Sequence, residues 1–252
     1  MFRLLFTMFC FMTFAHAEVG EIISVKGSSD AYLSRKGEKH ILTEGFPLQV
    51  GDSLRTENSH VVFLLFPKIQ MSLVKGTEIT ITSHMVEDAG EGEKTESLID
   101  LIKGLIRIQV TRDQNDHIQQ RVNARDVSFA VRGTEYEVSS TDEDAELDVF
   151  EGEVEVSSPH VQTFVPEIVK PKQGFRFDRK NRQFLRRALR ERIKEARFLS
   201  KDVLKSRWQE RKAVKQARKE KRWEVREERL LKRREERGNK KEERRERKGR
   251  GR

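Results

Sequence analysis

The sequence predicts a mainly β domain followed by a long, charged α-helix. Three observations carry that prediction. Short β-branched runs separated by glycines fill the chain up to about residue 178, the remainder contains no proline and is rich in good helix formers, and the sign of the charge inverts between the two parts. Arg179 to Arg252 holds 33 Lys and Arg against 13 Asp and Glu, whereas residues 1–178 hold 18 against 29. The overall net charge of +9 therefore conceals an acidic domain and a strongly basic extension, a pattern typical of an interaction tail.

The chain opens with a candidate secretory signal over residues 1–17. Arg3 supplies the positive start, Leu4 to Phe14 an apolar core interrupted only by threonine and the sole cysteine, and Ala15-His16-Ala17 a small–x–small cleavage pattern. The apolar run is too short for a spanning helix, which needs roughly 20 residues. Cys10 lies inside this segment, so the mature chain is expected to have neither disulfides nor thiolate chemistry. The expected product is exported, periplasmic or secreted, and soluble or peripheral.

Residues 18–178 read as strands. Apolar or alternating runs recur at Ile22 to Val25, Val61 to Phe66, Ile79 to Ile81, Leu105 to Val110, Val127 to Val131, Tyr136 to Val138, Leu147 to Val149 and Val154 to Val156, with Gly27, Gly37, Gly45, Gly51, Gly76, Gly104, Gly133 and Gly152 between them. This spacing argues for an all-β sandwich, barrel or solenoid. Leu98 to Lys103 fits either helix or strand. Glu87 to Glu93 reads as a solvated acidic loop. The run from Glu135 to Glu155, with ten Asp and Glu and no Lys or Arg, reads as a hairpin whose outward positions are charged and solvated.

Val131-Arg132-Gly133-Thr134-Glu135-Tyr136-Glu137-Val138 resembles the signature of the FecR domain family, Val-Arg-Gly-Thr-x-Phe-x-Val. Gly20-Glu21-Ile22, Gly51-Asp52-x-Leu54-x-Thr56, Gly104-Leu105-Ile106-Arg107 and Val149-x-x-Gly152-x-Val154 resemble further family segments in the same order, from about Val19 to Phe177, and Gln173-Gly174 resembles the family's terminal turn. Pro67-Lys68-Ile69 and Ala124-Arg125 depart from the family pattern at two turns. The resemblance implies an exported, non-catalytic, twisted β-solenoid-like or sandwich-like domain that binds a ligand or a partner. Val131, Arg132, Gly133, Thr134, Tyr136 and Val138 are expected to form a structural turn, with Gly133 supplying positive φ and Thr134 a hydroxyl tie.

No catalytic, metal or cofactor site is expected. His16, His40, His60, His84, His117 and His160 are scattered, without metal-ligand spacing. There is no nucleophile elbow, no phosphate-binding glycine loop and no catalytic cysteine in the mature chain.

The tail is expected to be helical from 179 to 237 and disordered from 238 to 252. Leu185, Leu189, Ile193, Ala196, Leu199, Val203, Leu204 and Trp208 recur at helical steps as an apolar stripe. Four uses are open: binding an anionic envelope surface (lipopolysaccharide or phospholipid) or nucleic acid, self-association as a coiled coil, folding back on the acidic domain, or serving as a solvated spacer. Arg211, Lys212, Lys215, Arg218, Lys219, Lys221 and Arg222 are the candidate anionic contacts. Export disfavours nucleic acid, and few aromatic residues are present to stack on bases.

Overall fold

The computed structural model describes residues 17–27, 30–88, 93–111, 113, 115–131, 135–158, 165–193 and 198–249, with side chains along the C-terminal helix described as far as Arg233 apart from Lys215 and Lys219. The expected signal segment, apart from Ala17, lies outside the described residues. The chain divides into two compact units at Ser200/Lys201.

The first unit is a two-sheet β structure, as the sequence predicts. Sheet A contains, in spatial order, β17 (Gln183–Ala188), β16 (Gln173–Asp178), β13 (Asp144–Glu151), β12 (Glu135–Ser140), the second half of β9 (Glu93–Val110), β7 (Ile69–Leu73), β6 (His60–Leu65), β1 (Glu18–Lys26) and β4 (Pro47–Gln49). Sheet B contains β3 (Glu38–Ile41), β2 (Tyr32–Arg35), β5 (Ser53–Arg55), β8 (Glu78–Asp88), the first half of β9, β10 (His117–Ala124), β11 (Val127–Val131), β14 (Val154–Ser157) and β15 (Glu167–Val169). Among the described strands only β9 and β10 pair in parallel.

β9 joins the sheets and resolves the ambiguous stretch from Leu98 to Lys103 as strand. In its first half Thr95, Ser97, Ile99 and Leu101 are buried; in its second half Ile106, Ile108 and Val110 are. The odd-numbered inward set becomes even-numbered, so the side-chain period of two slips by one residue between them. Gly104, at φ 98°, sits at that slip and lets both halves face one core. That core runs through both sheets and includes Leu33, Leu54, Phe63, Ile79, Ile106, Phe129, Tyr136, Leu147 and Phe175.

The motif Gly51-Asp52-x-Leu54-x-Thr56 has a purely structural account. Asp52 is fully buried, accepts both guanidinium nitrogens of Arg35 at 2.7 Å and the Gln49 N–H at 2.7 Å, and so ties β2 to the β4–β5 turn. Leu54 is in the core, and the Thr56 hydroxyl donates to the Val74 carbonyl at 2.5 Å while accepting the Thr77 N–H. At the divergent turn after β6, Lys68 pairs with Asp113 at 3.0 Å and Asp116 at 2.5 Å. The other divergent turn places Arg125 at φ 56°, with its guanidinium 2.7 Å from Asp142.

Three expectations are corrected. Residues 183–188 form β17 rather than helix, because alternate positions such as Phe184 pack on Phe175 and Phe177 of β16, at 5.3 and 4.5 Å between ring centroids. Leu185, Leu189, Ile193 and Leu199 therefore belong to no helical stripe. The helix α1 begins at Lys201 and runs to Gly249, past the expected end at 237. Gln173-Gly174 opens β16 instead of forming a turn; the turn precedes it, with Lys172 at φ 64°. The expected acidic loop narrows to residues 89–92, which lie outside the described residues.

His84, on β8, donates through Nε2 to the Phe66 carbonyl at 2.5 Å, while its Nδ1 is buried without a partner. Burial holds this imidazole below the ordinary histidine range, against the opposing effect of the Phe66 carbonyl. A histidine depressed in the fold binds fewer protons there than in the unfolded chain. Its contribution is fully present above about pH 6.5 and is lost as pH falls towards the depressed value. The urea midpoint is expected to drop between pH 7.5 and pH 5.5, and the drop to shrink in His84→Gln. Equal drops in both proteins would refute the assignment.

Candidate functional site

Every position of β12 after Glu135 is buried, and so are five of the eight residues of β13. Alternation still holds: Tyr136, Val138, Leu147 and Val149 face the core, whereas Glu137, Ser139, Glu146 and Asp148 face the opposite side. That opposite side is not solvated, contrary to the sequence expectation for the acidic hairpin. The chain leaving β17 crosses it.

The crossing segment is basic where the sheet is acidic. Arg187 clamps Asp148 with both terminal nitrogens, at 2.7 and 2.6 Å. Arg192 bridges Glu146 at 2.9 Å and Asp148 at 3.2 Å and donates to the Ser139 hydroxyl at 2.9 Å. The backbone joins in. The Arg190 N–H donates to Asp148 at 2.9 Å, while the Arg192 and Ile193 N–H groups donate to the two oxygens of Glu137 at 3.1 and 2.9 Å. Farther along, the Gln70 amide accepts from the Leu199 N–H at 2.6 Å and donates to its carbonyl at 3.0 Å, as a neighbouring strand would. The segment thus passes β13, β12 and β9 and reaches β7.

Arg107, the last residue of the Gly104-Leu105-Ile106-Arg107 segment, closes the site from β9. It donates to Glu135 at 2.8 Å, Glu191 at 2.9 Å and the Ile193 carbonyl at 2.6 Å, and its guanidinium lies 4.4 Å from the Phe150 ring centroid. Burial pushes the Glu137 carboxyl above its ordinary range, opposed by the Ile193 and Arg192 N–H groups and by the charges of Arg107 and Arg192. Fully buried carboxylates with this many donors form a polar network that is costly when only partly satisfied.

Sheet B carries a second concavity, an open groove of about 700 Å³ lined among others by Leu98, Gln119, Arg121, Ala130, Glu155 and Ile168. Among the described residues no group of three or more His, Cys, Asp or Glu could hold a metal ion.

Of the signature residues, Val131 ends β11, and Tyr136 and Val138 point from β12 into the core. Arg132, Gly133 and Thr134 lie outside the described residues.

Residues 52–155 match the family model described as FecR protein. This stretch is similar to the FecR domain family. The match begins at Asp52, inside the Gly-Asp segment, and ends at Glu155 in β14, so the segment crossing sheet A lies beyond the matched part of the domain. Two crystal structures of a candidate anti-sigma factor from Parabacteroides distasonis are similar to the chain, at 19% and 20% identity and TM-scores of 0.42 and 0.43. Each alignment covers 54% of this chain, and 59% or 58% of the other, so the chain spans less than two thirds of those structures. No curated protein matches it.

Beyond the matched residues, α1 sorts its charges by face. Up to Arg233, at 3.6 residues per turn, Arg207, Arg211, Lys215, Arg218, Arg222, Arg226, Arg229 and Arg233 fall within an arc of about 100°, and Asp202, Glu210, Glu220, Glu224, Glu227 and Glu228 fall within a similar arc on the opposite side; farther along, Glu236 and Glu243 return to the basic side. The basic face spans about 39 Å along the axis. Four of the seven candidate contacts, Arg211, Lys215, Arg218 and Arg222, share it. Lys212 and Lys219 flank it, and Lys221 lies away from it beside the acidic face. Side chains of Lys215 and Lys219 are outside the described residues. Arg226, Arg229 and Arg233 extend the face beyond the residues singled out from sequence; the step of three or four between them was the available signal. Val214 and Val225, 52% and 48% exposed, border the basic face on one side, whereas Trp223 and Leu230 fall roughly 40–60° beyond its other edge. The apolar residues of α1 therefore form no single seam of the kind a coiled coil needs. No helix among the described residues is long and apolar enough to cross a membrane.

Proposed function

We propose that this is an exported, non-catalytic FecR-domain protein, a partner-binding envelope module that α1 attaches to an anionic, phosphate-bearing surface. The observation that carries the reading is the segregation of charge on α1 up to Arg233: eight Lys and Arg on one face, the acidic residues opposite, and exposed Val214 and Val225 at the border of the basic side. A helix lying on an anionic bilayer needs that arrangement, with cations towards the headgroups and aromatic or aliphatic residues at the interface. The signal at residues 1–17 supports placing the mature chain at the envelope, and the segregated faces favour this reading over a uniformly charged spacer.

The test is co-sedimentation of the full chain with phosphatidylglycerol-containing vesicles, with lipopolysaccharide micelles and duplex DNA as parallel arms. At about 1 kcal/mol per basic residue near an anionic surface, the variant Arg211→Gln/Arg218→Gln/Arg222→Gln/Arg226→Gln is expected to bind vesicles about a thousandfold more weakly. Binding of the unaltered chain is expected to fall steeply with salt. Unchanged vesicle affinity in the variant would sink the reading. Tighter binding to DNA than to either lipid would move the partner to nucleic acid.

A further inference from the structure

The segment that covers sheet A is held in the way a bound peptide is held. β17 ends at Ala188, and the described residues 189–193 and 198–200 then cross the sheet without pairing as a strand. Their fixings are hydrogen bonds and ion pairs: Arg187 on Asp148, Arg192 between Glu146 and Asp148, successive N–H groups on Glu137, and the Leu199 peptide on Gln70. Ile193 is the one fully buried side chain among these crossing residues. The face beneath presents Glu137, Ser139, Glu146 and Asp148, groups that water solvates well. Uncovering it would therefore expose carboxylates and hydroxyls in place of an apolar patch. Sheet faces of this composition are stable in water, with the core on the other side. The covered and uncovered states differ mainly in who supplies the donors.

We propose that this outer face of sheet A is a recognition surface for an extended, arginine-bearing segment of a protein partner, and that residues 187–193 and 198–199 of the same chain occupy it in cis. The cis segment defines the ligand chemistry. One arginine makes a bidentate pair with Asp148, a second arginine five residues later bridges Glu146 and Asp148, and an apolar residue follows whose N–H and that of its predecessor bind Glu137. Arg107 then takes the carbonyl of that apolar residue. Planar guanidinium-to-carboxylate pairing makes the site selective for arginine over lysine. A tethered cis segment competes at an effective concentration of the order of millimolar, so a partner in trans is held off until the cis segment is weakened. The inference is independent of the anionic-surface reading, which concerns residues of α1.

The test uses the full chain and a fluorescein-labelled peptide of sequence 185–200, followed by anisotropy. Arg187→Ala/Arg192→Ala loosens the cis segment and is expected to bind the peptide at least tenfold more tightly than the unaltered chain. The same peptide with alanine at both arginine positions, or lysine in their place, is expected to lose that gain. A folded double variant that binds the peptide no better than the unaltered chain would overturn the proposal. Should the double variant fail to fold, amide exchange in the unaltered chain decides. The Arg190, Arg192 and Ile193 amides are expected to exchange at least a hundredfold faster than those of Val138 and Leu147, through local opening. Equal protection would mean that the segment leaves only on global unfolding, and the proposal falls.

Discussion

Asp148→Ala is expected to release the segment that crosses sheet A and to destabilise the β unit. Asp148 is fully buried and accepts four hydrogen bonds: two from Arg187, one from the Arg190 N–H and one from Arg192. Removing one side of a buried ion pair typically costs about 3–5 kcal/mol, because the opposite charge is left desolvated. Here the arginines sit on a segment that can lift into water, so the lower end of that range, about 3 kcal/mol, is the expectation. The signature is local as well as global. Urea unfolding should shift to lower concentration, and the Arg192 and Ile193 amides should lose protection well before the β12 and β13 amides do. A variant with unchanged protection at these two amides would show that Asp148 does not hold the segment.

The second large effect is expected at the slip in β9. Gly104→Ala would put a Cβ 2.5 Å from the Thr77 Cα and 2.9 Å from the Gly76 carbonyl oxygen, at a φ of 98° that side chains rarely adopt. Backbone atoms cannot swing away as a flexible side chain can. The Thr77 hydroxyl also donates to the Leu105 carbonyl and accepts its N–H, both at 3.1 Å, so a shift there breaks further bonds. Strain and overpacking each cost about 1–3 kcal/mol, and a combined loss of about 4 kcal/mol is expected. In a unit of this size that corresponds to a fall in Tm of roughly 10 °C. Gly51→Ala is a useful contrast: its φ is also positive, but a Cβ there meets nothing within 4 Å, so the loss should be much smaller. Similar Tm values for the two variants would refute the account of the slip.

The features legible in the sequence were the local ones. Strand runs such as Leu105 to Val110 and Val127 to Val131 declare themselves by β-branched content and period, and the Gly-Asp-x-Leu-x-Thr segment proved to be what ties β2, β4 and β5 together. Leu98 to Lys103 stayed ambiguous because its period changes phase there, and a phase change looks like the loss of a pattern. Residues 183–200 misled for a related reason. Leu185, Leu189, Ile193 and Leu199 are spaced as on a helix and lie among good helix formers, yet β16 offers an open edge that β17 takes, and the acidic face of β12 and β13 then draws the following arginines across it. Tertiary partners override propensity in such a stretch. Glu137 and Asp148 read as solvated because their cover comes from 39 to 56 residues away, a contact that no window of sequence contains.

By itself, therefore, the sequence determined the division into an acidic β part and a basic helical part, the resemblance to the FecR family and the strands that bear it, since all of these rest on composition and on spacing within a few residues. The tertiary structure alone decided where the helix starts, that β9 serves both sheets, and that an acidic sheet face is matched by arginines from beyond the family match. Those features depend on which surfaces meet, and desolvation and pairing of charge act only once they have met.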